Sequence, residues 1–198
     1  MRNILRGFTT ACLLLVSGML FVSCEDDYTP KPRGFQRIEF PKEKKYSTYS
    51  SDCGFSMQIP SYVTVEPDNH PSAEKCWYNV NYGPFGATLH LSYKSFANEA
   101  ELMKLTEDAR TLVYKHTIKA DEIYETQIGN AYIQGMLYEL SGNTASNFQF
   151  YVLDSTHHFI RGALYFNTKT DNDSVAPVLT YLKTDIVQML ESLRWKGN

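Results

Sequence analysis

The 198-residue sequence lacks the short motifs that most often announce an enzyme. It has no G-x-S-x-G, no glycine-rich phosphate loop and no H-E-x-x-H, so the usual nucleophile elbow, nucleotide cradle and zinc-protease helix are all missing. It has no excess of positive charge: 19 Lys and Arg stand against 22 Asp and Glu, a net charge of −3. The electrostatic footprint of a nucleic-acid binder is therefore absent, and nucleic acid is not expected as a partner. No internal repeat or low-complexity tract is visible, which argues against a solenoid or a propeller. The longest apolar run, Ala11 to Val22, holds about a dozen residues, too short to span a bilayer. Cysteine is scarce, at four.

That short run has a context. Met1-Arg2-Asn3-Ile4-Leu5-Arg6 precedes it with two positive charges and no acid, and Phe21-Val22-Ser23-Cys24 follows. A charged start, a dozen apolar residues and a small residue before a cysteine read as a lipoprotein signal peptide over residues 1–23. Phe21 stands where such signals usually carry leucine. Cys24 is then expected to carry the lipid and to be the first mature residue. Several acyl chains on one residue hold a protein stably at a membrane, where one chain binds only marginally. Glu25, Asp26 and Asp27 come next. Anionic lipid repels them, so they hold the chain off the surface. They also resemble the surface-export signal of Bacteroidetes lipoproteins, although solubility alone would account for three acids.

Without residues 1–23 the chain keeps 175 residues, with 17 basic and 22 acidic side chains and a net charge of −5. That length suits one domain with a proper core. Cys12 leaves with the signal, so Cys53 and Cys76 remain. An even pair in an exported chain points to a disulfide, worth roughly 3 kcal/mol on the chain-entropy view. Two free thiols are the alternative. A metal site lacks further ligands at suitable spacing, and no cofactor is expected.

Residues 24–50, with "YTPKPRGF" and "PKEKKYSTYSS", read as the lipidated amino terminus and a flexible tether, with a short edge strand at Ile38–Phe40. A single domain is expected over 51–198. Alternation of Phe55, Met57 and Ile59 predicts a half-buried strand. Further strands are expected at Tyr62–Val65 and Cys76–Tyr82. "GPFG" then turns the chain into the two-faced strand Ala87–Tyr93. From Asn98 the apolar spacing becomes three and four, predicting a helix of about twenty residues with Asn98 as its cap and Glu101 completing a capping box. Strands Ile123–Ile128 and Ala131–Leu140 flank Gly129-Asn130, a two-residue hairpin turn. Phe148–Leu153 and His158–Phe166 follow. Leu179, Leu182, Ile186, Met189 and Leu193 mark a closing helix with Pro177 in its first turn. The expected fold class is α+β: a mainly antiparallel sheet of about six to seven strands covered by two main helices. "GFSMQIPSYVTV" and the closing helix make this helix–sheet sandwich resemble the Mog1/PsbP-like fold.

Candidate chemistry is thin. His157 and His158 are adjacent and point to opposite faces of a strand. His116 falls on the apolar face of a helix, where a core histidine is commoner than a ligand. Asp154, Ser155 and His157 in "DSTHHF" read as a turn before they read as a triad. No enzyme is expected. The loop "SGNTASN" is odder, because small polar residues run directly into an aromatic strand. Asn143, Ser146 and Asn147 are the candidate interaction loop. A ligand pocket near Asn143–Asn147, in an envelope binding protein or a cryptic enzyme, is the alternative reading.

Several stretches in order, "YTPKPRGFQRIEFP", "DCGFSMQIP", "CWYNVNYGPFGATLHLSYK", "HTIKADEI", "GNTASNFQFYVLDSTHHFIRGALYF" and "YLKTDIVQMLESLRW", resemble the gliding-motility lipoprotein GldD family of Bacteroidetes. The resemblance spans nearly all of the mature chain. It implies a non-catalytic, lipid-anchored component of the gliding motility and type IX secretion machinery. It also implies a place in the cell envelope, on the outer membrane, at the periplasmic face or the cell surface. The expected partners are other envelope lipoproteins of that machinery and the membrane itself through Cys24.

Overall fold

The computed structural model describes residues 38–154, 156–167 and 172–196. The signal peptide, Cys24, the tether as far as residue 37, and Ser155 lie outside the described residues. In chain order the elements are β1 (Tyr46–Ser50), β2 (Phe55–Pro60), β3 (Thr64–Pro67), β4 (Trp77–Tyr82), β5 (Ala87–Ser95), α1 (Glu99–Tyr114), β6 (Ala120–Gly129), β7 (Gln134–Gly142), β8 (Phe148–Leu153), β9 (His158–Phe166), α2 (Asn172–Glu191) and β10 (Arg194–Trp195). A seven-stranded sheet runs β3-β4-β5-β9-β8-β7-β6, and a three-stranded sheet runs β1-β2-β10. Every pairing is antiparallel. The architecture is the α+β sandwich read from the pattern, with a second small sheet added to it.

Alternation along each strand gives the large sheet two faces. One face carries Val80, Leu89, Leu91, Phe148, Phe150, Ile160 and Leu164. Against it pack Leu182, Ile186 and Met189 of α2 together with Phe55, Met57 and Trp195 of the small sheet. Leu182 and Ile186 are wholly buried. Gly162 is required here. It pairs with Phe150 across β8 and β9, and a Cβ at 162 would come 2.2 Å from the Phe150 ring. Among the described residues, α1 packs on the opposite face through two small clusters around Ala109 and Val113.

The helix starts follow local chemistry. The Asn98 side chain accepts a hydrogen bond from the Glu101 amide at 3.0 Å, and the Glu101 carboxylate accepts one from the Ala97 amide at 2.9 Å. Two orphan amides are thereby satisfied. Helix α2 begins about a turn earlier than the apolar spacing suggests, so Pro177 lies inside it.

Three local readings change. The β6–β7 connection is a four-residue turn, Asn130 to Ile133, because the Asn130 side chain accepts from the amides of Tyr132 and Ile133 at 2.8 and 3.1 Å. His116 lies beyond the end of α1, in the turn that follows it. And the packed body begins before residue 51. Residues 38–40 form no strand, but Phe40 packs against Phe85 and Tyr181 with ring centroids 5.7 and 4.6 Å apart. β1 pairs along β2. Lys44 makes a 2.8 Å ion pair with Asp185 of α2, a carboxylate with no exposed surface. The hydroxyls of Tyr46 and Tyr62 donate to the same carboxylate. Burial first, then these bonds, push both tyrosines well above the ordinary phenol range. The polar, lysine-rich composition of residues 41–50 suggested a solvated tether. It packs because its partner is a buried acid about 140 positions away.

Candidate functional site

The disulfide, a row of aromatic rings and the β6–β7 turn converge at one corner. Cys53 and Cys76 are joined, with Cα atoms 5.8 Å apart. Cys53 precedes β2 and Cys76 precedes β4, so the bond ties the small sheet to the large one. Cys76 adopts a left-handed backbone, φ 73°, which is uncommon for a residue with a side chain. Beside the bond, Tyr78 Oη lies 3.2 Å from Cys53 Sγ and 2.9 Å from Ser51 Oγ.

From there the rings run outward. His158 stacks on Trp195 with centroids 5.0 Å apart and planes 7° from parallel. Its Nδ1 lies 2.7 Å from the Tyr93 hydroxyl. Trp195 Nε1 donates to the Tyr132 carbonyl at 2.9 Å, which pins the β6–β7 turn to the small sheet. The turn is also closed on itself by Asn130. The Tyr132 ring is 50 % exposed and lies 3.8 Å beneath the Arg194 guanidinium. Arg194 in turn donates to the carbonyls of Glu191 and Leu193 at 3.0 and 2.8 Å, capping the end of α2, where a cation is favoured. The Tyr132 backbone is thus held by Asn130 and Trp195, and its exposed ring lies under Arg194.

Two clefts flank that ring. One, of about 590 Å³, has an apolar floor that includes Ile128, Ile133, Leu137, Val187 and Leu190, with Gln127, Glu191 and Arg194 at its rim. The other, of about 530 Å³, lies between Tyr132, Leu153, Asp154 and Trp195. A Tyr–Arg pair between concavities is the composition and shape of a protein-binding hot spot.

The residues singled out in the sequence take other places. Asp154 staples its turn: its carboxylate accepts from the Thr156 hydroxyl and from the amides of Thr156, His157 and His158. Burial works to raise its pKa, but these hydrogen bonds prevail and hold it at about 2. In the loop before β8, Asn143 is exposed. Ser146 is buried, its hydroxyl directed at the Phe148 carbonyl at 3.4 Å. Asn147 donates to the carbonyls of Leu140 and Gly142 at 2.9 and 3.4 Å, closing the loop onto β7. Of the three, Asn147 alone lines the nearby groove of about 280 Å³. Ser146 and Asn147 shape the loop, and Asn143 stands exposed on it. No group of three or more His, Cys, Asp or Glu residues among those described is placed to hold a metal.

The Tyr132 corner went unread in the sequence. Its one local signal is Asn130, placed two residues before Tyr132 as an Asx turn requires. Arg194 and Trp195 are some sixty positions away and gave no sign of meeting it.

No helix of the described residues is long and apolar enough to cross a membrane. None of the curated proteins matches the chain. The family model described as gliding motility lipoprotein GldD matches residues 25–195, a span that takes in both sheets, both helices, the disulfide and the Tyr132 corner. On that match, the chain belongs to the gliding motility lipoprotein GldD family.

Proposed function

We propose that this lipoprotein is a non-catalytic interaction component of the gliding motility and type IX secretion machinery, held at the outer membrane by acyl chains on Cys24, and that it works by docking other envelope lipoproteins. The observation that carries the reading is the Tyr132 corner. A half-exposed ring under Arg194, on a turn whose backbone the Trp195 indole pins between two clefts, gives a partner an anchor whose backbone is already ordered on folding. The apolar floor of the larger cleft suits a partner's aliphatic or aromatic side chain. The family supports the envelope setting.

The test is crosslinking and pull-down from intact cells that carry a tagged chain, comparing wild type, Tyr132→Asp and Cys24→Ala. The wild type is expected to capture envelope lipoproteins. Tyr132→Asp is expected to lose at least one of them while accumulating normally. Cys24→Ala is expected to release the chain from the membrane fraction. Normal motility and cargo secretion in a clean deletion strain would overturn the proposal.

A further inference from the structure

The α1-side face of the large sheet holds a cation without a counter-charge. Arg161 sits in the middle of β9, with Ser92 of β5 and Tyr151 of β8 opposite it. It is half-buried. Among the described residues its one hydrogen-bond partner is Gln149 Oε1, at 2.7 Å from Nη2, and no carboxylate lies within ion-pair distance of it. A guanidinium carries five N–H donors and no acceptor, and the described residues take up one of them.

The surroundings favour the same kind of ligand. Gln149 has no exposed surface. Because arginine accepts nothing, the amide must turn its oxygen toward Arg161, and this leaves Nε2 buried without a partner. An orphaned buried donor is destabilising. The arrangement nonetheless fixes where the guanidinium points. Lys94 pairs with Glu74, Arg110 with Glu125 and Lys183 with Glu139; Lys104, Lys115 and other lysines have no ion pair among the described residues, but they stand exposed in water, whereas Arg161 is half-buried in the sheet. No carboxylate of the described residues acts on Arg161. His116 follows α1 and is held below the usual histidine range by burial and by Arg161 itself. Tyr165 lies four residues further along β9, on the same face.

We infer that Arg161, positioned by Gln149, is the anchor of a binding site for one carboxylate. A single uncompensated guanidinium matches a single negative charge, and its fork fits a carboxylate's two oxygens. The site is separate from the Tyr132 corner, so either can fail without the other.

The test follows the side-chain N–H signals of Arg161 and Gln149 by nuclear magnetic resonance, using the full-length chain in detergent micelles. Acetate is titrated against chloride at matched ionic strength. Acetate is expected to move the Arg161 Nε–H signal with saturation, and chloride is expected to leave it in place. Arg161→Lys, which keeps the charge and loses the fork, is expected to weaken acetate at least fivefold, read from the Gln149 signals. Gln149→Leu, which removes the positioning oxygen and fills the volume, is expected to weaken it by a similar factor with the backbone spectrum intact. A response to acetate that is linear, equal to that of chloride, or unchanged in both variants overturns the site.

Discussion

The two faces of the seven-stranded sheet are built on different terms. One buries α2 and the whole small sheet in a continuous core that includes Leu89, Phe148, Phe150, Ile160, Leu182 and Ile186. The other lies under a single sixteen-residue helix whose buried residues are Ala109 and Val113, and it also carries Trp77, Asn79, His90, Arg161 and Gln149. Three of the four buried polar atoms left without a partner among the described residues, on Trp77, Asn79 and Gln149, stand on this second face. A thick apolar core supplies stability, and that allows the thinner face to hold groups that would otherwise weaken the fold.

Paired truncations test this contrast most sharply. Leu182→Ala, in the thick core, is expected to destabilise by about 3–4 kcal/mol, because it opens a cavity that cannot collapse. Leu105→Ala, on the half-buried face of α1, is expected to cost roughly 1 kcal/mol, since water refills the space. Urea unfolding measures both, and equal losses would dissolve the distinction between the faces. Next comes the cross-link. Replacing Cys53 and Cys76 by serine is expected to cost about 3 kcal/mol, as the unfolded chain regains the freedom of the loop. Amide exchange is expected to quicken first in β1 and β2, which the bond ties to the large sheet.

Asp185→Asn probes the strap that the thick face holds. It removes the charge that Lys44, Tyr46 and Tyr62 share, at an expected cost of about 2 kcal/mol, with residues 38–50 exchanging faster than α2. Asn98→Ala is the matching test on the thin face, at about 1 kcal/mol for a lost cap.

The smallest effects are in the pH dependence. Burial and then Arg161 lower the pKa of His116 from 6.5. Its contribution is therefore present above pH 6.5 and is lost as the pH falls below that value. Asp154 is lowered from 3.8 to about 2. Its contribution is present above 3.8 and is lost as the pH falls through 2. A pH series of thermal melts is expected to show two steps, the upper removed by His116→Gln and the lower by Asp154→Ala.

Much of this was legible in the chain. Alternating residues in "GFSMQI" and "TLHLSYK" mark strands because a pleat has period two. The Asn98–Glu101 cap marks a helix start because the first amides of a helix need partners. These signals are local, and the structure has the elements where they point. Residues 41–50 misled because composition measures average solvation, while a lysine beside a buried aspartate is stabilised by one specific partner. For Asn143, Ser146 and Asn147 the chain order alone did not say which side chain closes the loop and which faces outward, because small polar residues do either and only their orientation separates the two. Tyr132, Arg194 and Trp195 stayed hidden because their meeting depends on β10 reaching β2.

What the sequence by itself determined are the features encoded by neighbours: strand and helix identity, the helix caps, the Asp154 turn, the sandwich class and the resemblance that the family match bears out. What only the tertiary structure decided are the encounters between distant segments. These are the joining of two sheets by the disulfide, the Lys44–Asp185 latch, the Tyr132 corner and the half-buried Arg161. Periodicity and capping act over three or four residues and can be read in one dimension. Which charges pair and which rings stack depends on contacts that exist only once the chain has closed on itself.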